Sequence, residues 1–116
     1  MAKLGTSKLE RTASVCTERL ARFFPEAESV EVRALLTPLR GGAGTVCESV
    51  LVEFASAEKV IFQSTLPLEF NDRVLLAQAN GNGEAEGTVI AVQYHEGQKA
   101  VAVQFVNGQS AWVNKP

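Results

Sequence analysis

The sequence predicts a mainly β protein, a small antiparallel barrel or sandwich preceded by one N-terminal helix. From Ser29 onward, short segments alternate apolar and polar residues, as strands with one buried face do. Glycine and asparagine clusters separate these segments, and no helical pattern falls between them. At 116 residues, 46% of them hydrophobic, the chain suits a single domain with one core.

The first 28 residues read as an amphipathic helix and a connector, and residues 29–116 as the β body. Ser7 and Glu10 form a capping box, and Pro25 closes the segment, which predicts a helix from about Lys8 to Phe24. One helical stripe collects its apolar residues: Leu9, Ala13, Cys16, Leu20, Phe23 and Phe24. A lone helix of this length is marginal in water, so the stripe needs a surface to cover.

Two surfaces are open to that stripe. It can close one end of its own barrel, or it can pack on a partner protein or a second copy of the chain. In both cases Leu20, Phe23 and Phe24 are the candidate interaction residues, and Phe23 and Phe24 are expected to hold the junction with the β body.

The strands of the β body follow in order from Ser29. The segment "SVEVRALL" places Val30, Val32 and Ala34 on one face, and "TVCESVLVEFA" does the same for Val46, Val50, Val52 and Phe54. The remaining strands are "KVIFQS", "RVLLAQA", "EAEGTVIAVQY", "KAVAVQF" and "SAWV". Turns are predicted at "RGGAG", at "NGNG" and between His95 and Gln98. The residues expected to be mostly buried are Phe54, Val60, Phe62, Leu76, Val89, Val103 and Phe105.

The run from Leu66 to Trp112 resembles the second half of a PilZ domain. It contains "LPLEFNDRVLL", then "EGTVIAV", then "VAVQF" and a closing tryptophan, in that family's order and spacing. Glu31 to Ser64 resembles the first half more loosely. The resemblance implies a six-stranded PilZ-like β-barrel and a role in bacterial cyclic di-GMP signalling.

PilZ domains that bind cyclic di-GMP use an R-x-x-x-R motif before the first strand and a [DN]-x-S-x-x-G loop on a later one. Arginine suits this ligand because its planar guanidinium can fork onto a phosphate and lie flat against a guanine. No two arginines of this chain have the required spacing. In "FASAEK", Phe54 replaces the acidic or amide residue, Ser56 is kept, and Lys59 replaces the glycine. The loop therefore reads as a degenerate corner of the sheet.

These departures leave two expectations for function. The first is a non-catalytic PilZ-like regulatory or adaptor domain that acts through protein contacts and does not bind cyclic di-GMP tightly. The alternative is a cyclic di-GMP receptor that uses Arg11, Arg19, Arg22 or Ser56 in a non-consensus way.

Composition and the remaining motifs exclude other classes. A net charge of −2 and a pI near 5.4 argue against DNA or RNA binding through bulk electrostatics. No signal peptide or membrane-spanning run is visible, which predicts a cytoplasmic protein without membrane insertion. Cys16, Cys47 and the single histidine, His95, lack the spacing of metal ligands or of a catalytic relay. We therefore expect no catalytic residue, metal or cofactor.

Overall fold

The computed structural model describes residues 14–39, 46–79, 81 and 83–106, which form a closed barrel of six antiparallel strands with a helix on its outer wall. The helix α1 covers Val15–Ala21. The strands are β1 (Glu28–Pro38), β2 (Glu48–Ala55), β3 (Lys59–Gln63), β4 (Arg73–Gln78), β5 (Glu84–His95) and β6 (Gln98–Phe105). The predicted mainly β, six-stranded antiparallel barrel is confirmed.

The strands follow the order β1-β2-β3-β6-β5-β4 around the barrel, and pairing of β1 with β4 closes it. The connection from β3 to β4 is not a hairpin, because those two strands are not neighbours in the barrel. Closure pairs each of the six described strands with two neighbours.

Tight turns sit where the sequence predicts them. Glu96 and Gly97 both have positive φ, as a two-residue hairpin loop of the primed type requires, and they join His95 to its partner Gln98. Gly81 and Gly83 in "NGNG" also have positive φ, between the antiparallel strands β4 and β5. The predicted "RGGAG" turn and the final "SAWV" strand lie outside the described residues.

The barrel interior is filled by the inward-facing residues of all six strands. Alternation along β6 illustrates the pattern, since Val101, Val103 and Phe105 face this inner core while Ala100 and Ala102 face outward. Six of the seven residues predicted to be buried lie in the inner core: Val60, Phe62, Leu76, Val89, Val103 and Phe105. Of the predicted face-sharing residues of β2, Val50 and Val52 lie in the inner core, whereas Val46 precedes the strand and is exposed.

The seventh predicted core residue, Phe54, lies on the outer wall. The pairing of β2 with β3 shifts between Val52 and Phe54, so Glu53 is an extra residue in the ladder. This β-bulge breaks the period of two and turns Phe54 outward, where it is half-buried beneath α1. A second shift, at Ile90 in β5, likewise adds Ile90 and Ala91 to the apolar surface under the helix.

The prediction of one continuous helix from about Lys8 to Phe24 is wrong at Ser14. Ser14 has extended backbone angles (φ −69°, ψ 156°), and its hydroxyl accepts a hydrogen bond from the Thr17 N–H, so it is the N-cap of α1. A helix cannot run through an N-cap residue. The Ser7–Glu10 capping box lies outside the described residues, and at its other end α1 stops at Ala21, before Phe23.

α1 packs on its own barrel, but along the side wall and not across an end. Cys16 and Leu20 are buried against an outward-facing surface formed mainly by Ile61, Ala100 and Ala102. The two alanines are short, so the helix backbone can approach the sheet closely. The predicted closure of a barrel end is therefore replaced by coverage of strands β3, β5 and β6.

The two phenylalanines after α1 behave differently. Phe24 is half-buried against the surface beneath the helix, as expected of a junction residue. Phe23 is 71% exposed, so the prediction that it holds the junction is wrong. The reason is the early end of the helix: the chain turns after Ala21, with the Phe23 N–H donating to the Leu20 carbonyl, and the ring points away from the barrel.

Cys16 shows how closely α1 packs on the barrel wall. Its side chain is fully buried, and its thiol lies 3.5 Å from the Gln93 carbonyl oxygen and 3.6 Å from that of Gln98. Burial raises the pKa of this thiol. Because the folded pKa is the higher one, the stability this creates is present below the ordinary thiol pKa and is lost as the pH rises through the folded value.

Leu20→Asp should lower the free energy of unfolding by about 3 kcal/mol or more, because it removes a buried leucine and places an unpaired charge against apolar side chains. Thermal melting and urea titration measure the loss.

Phe23→Asp is the matched control, since it makes the same class of change at an exposed position three residues away. It should change stability by about 0.5 kcal/mol or less. Equal melting temperatures for the wild-type protein and Leu20→Asp would show that α1 is not held through Leu20.

Candidate functional site

The corner between β2 and β3 is where the PilZ resemblance places a ligand loop, and its serine is used by the turn itself. The Ser56 hydroxyl accepts hydrogen bonds from the N–H groups of Lys59 (3.2 Å) and Glu58 (3.4 Å). The Ser56 N–H in turn donates to the Lys59 carbonyl at 2.8 Å. Only 7% of Ser56 is exposed. The geometry is that of a serine-stabilised turn, with the hydroxyl facing the backbone.

The other two positions of the degenerate motif also contact the protein's own elements. Phe54 lies beneath α1, as described above. The Lys59 ammonium lies 3.4 Å from a carboxylate oxygen of Glu26, in the connector between α1 and β1. A hydrogen bond from its own backbone N–H, assisted by Lys59, lowers the pKa of Glu26. The contact joins the connector to the corner.

The described candidate arginines lie on the helix and at its end, and Ser56 lies at the corner. Arg19 and Arg22 are exposed on α1 and at its C-cap, and no hydrogen bond joins either of them to Ser56. Arg11 lies outside the described residues. The Ser56 hydroxyl is bonded to its own turn and to neither Arg19 nor Arg22.

The solvent-facing side of α1 carries a different arrangement. Val15 is 54% exposed and Phe23 71% exposed, and the exposed Arg19 and Arg22 accompany them. We call these four residues the outer face of α1. Within the described part of the chain, no carboxylate lies within ion-pair distance of either guanidinium. The outer face thus combines exposed apolar side chains with two positive charges that form no ion pair with a carboxylate of the described residues.

Of the other candidate interaction residues, Leu20 and Phe24 are occupied by the barrel. Leu20 is 4% exposed and Phe24 is half-buried, so neither is available to a partner while α1 is docked. Val15, which the outer face includes, was not a sequence candidate because it stands outside the main apolar stripe. Its exposure follows from where the helix begins.

Glu53 is a buried acidic residue that sequence reasoning missed. One of its carboxylate oxygens accepts hydrogen bonds from the Ser14 N–H at 2.9 Å and from the Thr17 hydroxyl. The first turn of a helix leaves N–H groups unsatisfied and attracts negative charge, so this carboxylate stabilises the start of α1. Its role is to hold the helix on the wall.

Residues that could suggest catalysis are ordinary structural elements. The Asp72 carboxylate accepts a hydrogen bond from the Glu69 N–H at 2.9 Å, and the Asp72 N–H donates to the Glu69 carbonyl at 3.0 Å, so the two residues close a turn. His95 ends β5, and the acidic group at 3.9 Å from its ring belongs to the adjacent Glu96. Across residues 14–39, 46–79, 81 and 83–106, no three potential ligands gather to hold a metal ion. In the same ranges, no helix has the length and apolar character needed to cross a bilayer.

No protein-family model matches this chain, and no curated protein matches it either.

Ser56→Ala should destabilise the protein by about 1 kcal/mol, because two N–H groups of the turn lose their acceptor. Ser49→Ala, at an exposed position of β2, provides the matched control and should be nearly neutral. Chemical denaturation of both variants measures the difference. If Ser56→Ala matches the control, the hydroxyl does not hold the turn.

Proposed function

We propose that this protein is a degenerate PilZ-like domain that has no catalytic role and acts as a regulatory or adaptor module through contacts with another protein in bacterial signalling. The observation that carries the proposal is the self-contained corner: Ser56 bonds to its own turn, and Lys59 is paired with Glu26. A loop whose polar groups are satisfied internally gains little from binding a nucleotide.

The outer face of α1 supports the second half of the proposal. Aromatic residues and arginines are the residue types that protein interfaces favour over the rest of a surface. Phe23 supplies the aromatic ring, and Arg19 and Arg22 supply the cations. A partner for this face would carry acidic groups around an apolar recess.

The contact is tested by affinity purification of the full chain from its native cells, with a double variant in which Phe23→Ser and Arg19→Glu remove both components of the outer face. We expect the co-purified partner to be lost. Phe70→Ser is the matched control, because Phe70 is also an exposed phenylalanine, 65% exposed, in the β3 to β4 connection. Recovery of the same partner with the double variant would contradict the proposal.

The alternative function, a cyclic di-GMP receptor, rests on one specific observation: both guanidiniums of Arg19 and Arg22 lack a carboxylate partner among the described residues. Such groups can bind phosphate. The alternative uses Arg11, Arg19, Arg22 or Ser56 to bind the ligand in a non-consensus way.

Calorimetric titration separates the two functions. We expect cyclic di-GMP to bind no tighter than the high micromolar range, about 5 kcal/mol of favourable free energy, because no arginine fork faces the corner. Arg19→Ala and Arg22→Ala should leave this weak binding unchanged. Saturable low-micromolar binding that either substitution abolishes would replace the adaptor proposal with the receptor.

A further inference from the structure

An open cleft of about 530 Å³ lies at the end of the barrel away from the Ser56 corner. β3 begins beside that corner at Lys59 and ends at Gln63, which lines the cleft. The β5–β6 hairpin turn forms another wall. The lining residues are Glu48, Gln63, Ser64, Thr65, Tyr94, Gly97, Gln98 and Lys99. The volume falls within the usual range of small-molecule sites.

The acidic group of the cleft is fixed by its neighbours. The Glu48 carboxylate accepts hydrogen bonds from the Ser64 hydroxyl (2.6 Å), the Thr65 N–H (2.9 Å) and the Thr65 hydroxyl (2.7 Å). The oxygen that faces Thr65 accepts two hydrogen bonds, and the oxygen that faces Ser64 accepts one. The oxygen that faces Ser64 can therefore accept a further hydrogen bond. Ser64 is 5% exposed, so the hydrogen bond that its hydroxyl donates to Glu48 comes from a buried residue.

The basic group of the cleft is fixed as well. The Lys99 ammonium donates to the Leu66 carbonyl and lies 6.0 Å from the centre of the Tyr94 ring. An ammonium has three donors, so two remain for a ligand. Lys99 and Glu48 do not form an ion pair, although both line the cleft. Each charge is instead held by neutral groups, and both residues line the cleft.

The remaining walls offer an aromatic face and amides. Tyr94 is 70% exposed, so most of its ring is open to a flat apolar surface. Gln63 and Gln98 each bring a side chain that can donate and accept hydrogen bonds. The opposed fixed charges disfavour a ligand with a large net charge of either sign, and the mixed donors and acceptors favour one with neighbouring hydroxyl groups.

We propose that this cleft is a binding site for a neutral carbohydrate. A sugar ring has an apolar face that can cover Tyr94, and its hydroxyls can accept from Lys99 while they donate to Glu48. This function is separate from the contacts proposed for α1, since none of the outer-face residues lines the cleft.

The test is an NMR titration of the full-length protein with glucose, N-acetylglucosamine and cellobiose, with adenosine and alanine as a nucleoside and a zwitterion. We expect at least one sugar to give saturable shifts of the amides of Tyr94, Gln98 and Lys99. Tyr94→Ala and Lys99→Met should each weaken this binding at least tenfold. Tyr94 is exposed, so its removal should leave the fold intact.

Phe70→Ala is the control, since it removes an exposed aromatic ring outside the cleft and should leave sugar binding unchanged. Shifts with adenosine or alanine alone would overturn the carbohydrate assignment. The absence of saturable shifts with all three sugars, or sugar binding that survives both cleft substitutions, would overturn the site.

Discussion

The bulge at Glu53 is the constraint on which the position of the helix depends. By adding one residue to β2, it turns Phe54 from the inner core to the outer wall and places the Glu53 carboxylate against the first turn of α1. Apolar cover and a charge at the helix N-terminus therefore come from adjacent residues. A seven-residue helix has little stability of its own, so these tertiary contacts decide that it forms and where it lies.

Docking of α1 by its Cys16 and Leu20 side determines what the opposite side can do. The barrel uses these residues, and the outer face retains Arg19, Arg22 and Phe23. The same docking leads the chain through Glu26 onto Lys59 at the β2–β3 corner. The same docking thus links the connector to the corner that the PilZ resemblance marks as a ligand loop and leaves a different surface exposed.

Much of the barrel was predictable from the sequence because period-two alternation and turn residues are local signals. Val60, Phe62 and Val103 are buried as their strand positions predict, and the His95–Gln98 turn joins the expected pair. The bulge at Glu53 carries no such signal, since Val52, Glu53 and Phe54 alternate apolar and polar as they would in a regular strand. The sequence is compatible with Phe54 facing the inner core or the outer wall. Its packing beneath α1 selects the outer wall.

The helix and the candidate sites were harder to predict because their determinants are distant in sequence. A serine such as Ser14 can start a helix or lie within one. Here Glu53, 39 residues away, accepts from the Ser14 N–H and favours the helix start at Ser14. The outer face depends in turn on where α1 stops, which exposes Phe23. In the cleft, Glu48 and Thr65 meet from positions 17 residues apart, and Lys99 joins them from β6.

The β5–β6 hairpin connects the two surfaces that remain open. Its outer side supports α1, through Ala100 and through the Gln98 carbonyl that faces the Cys16 thiol. Its turn and the neighbouring Tyr94 and Lys99 form walls of the cleft. Gln98 therefore contacts the helix through its backbone carbonyl and also lines the cleft. A ligand in the cleft would influence α1 only if it bound more tightly to one position of this hairpin than to another, because differential affinity alone shifts a conformational equilibrium. In a closed, densely paired barrel such alternative positions are few, so the architecture favours two surfaces that bind independently.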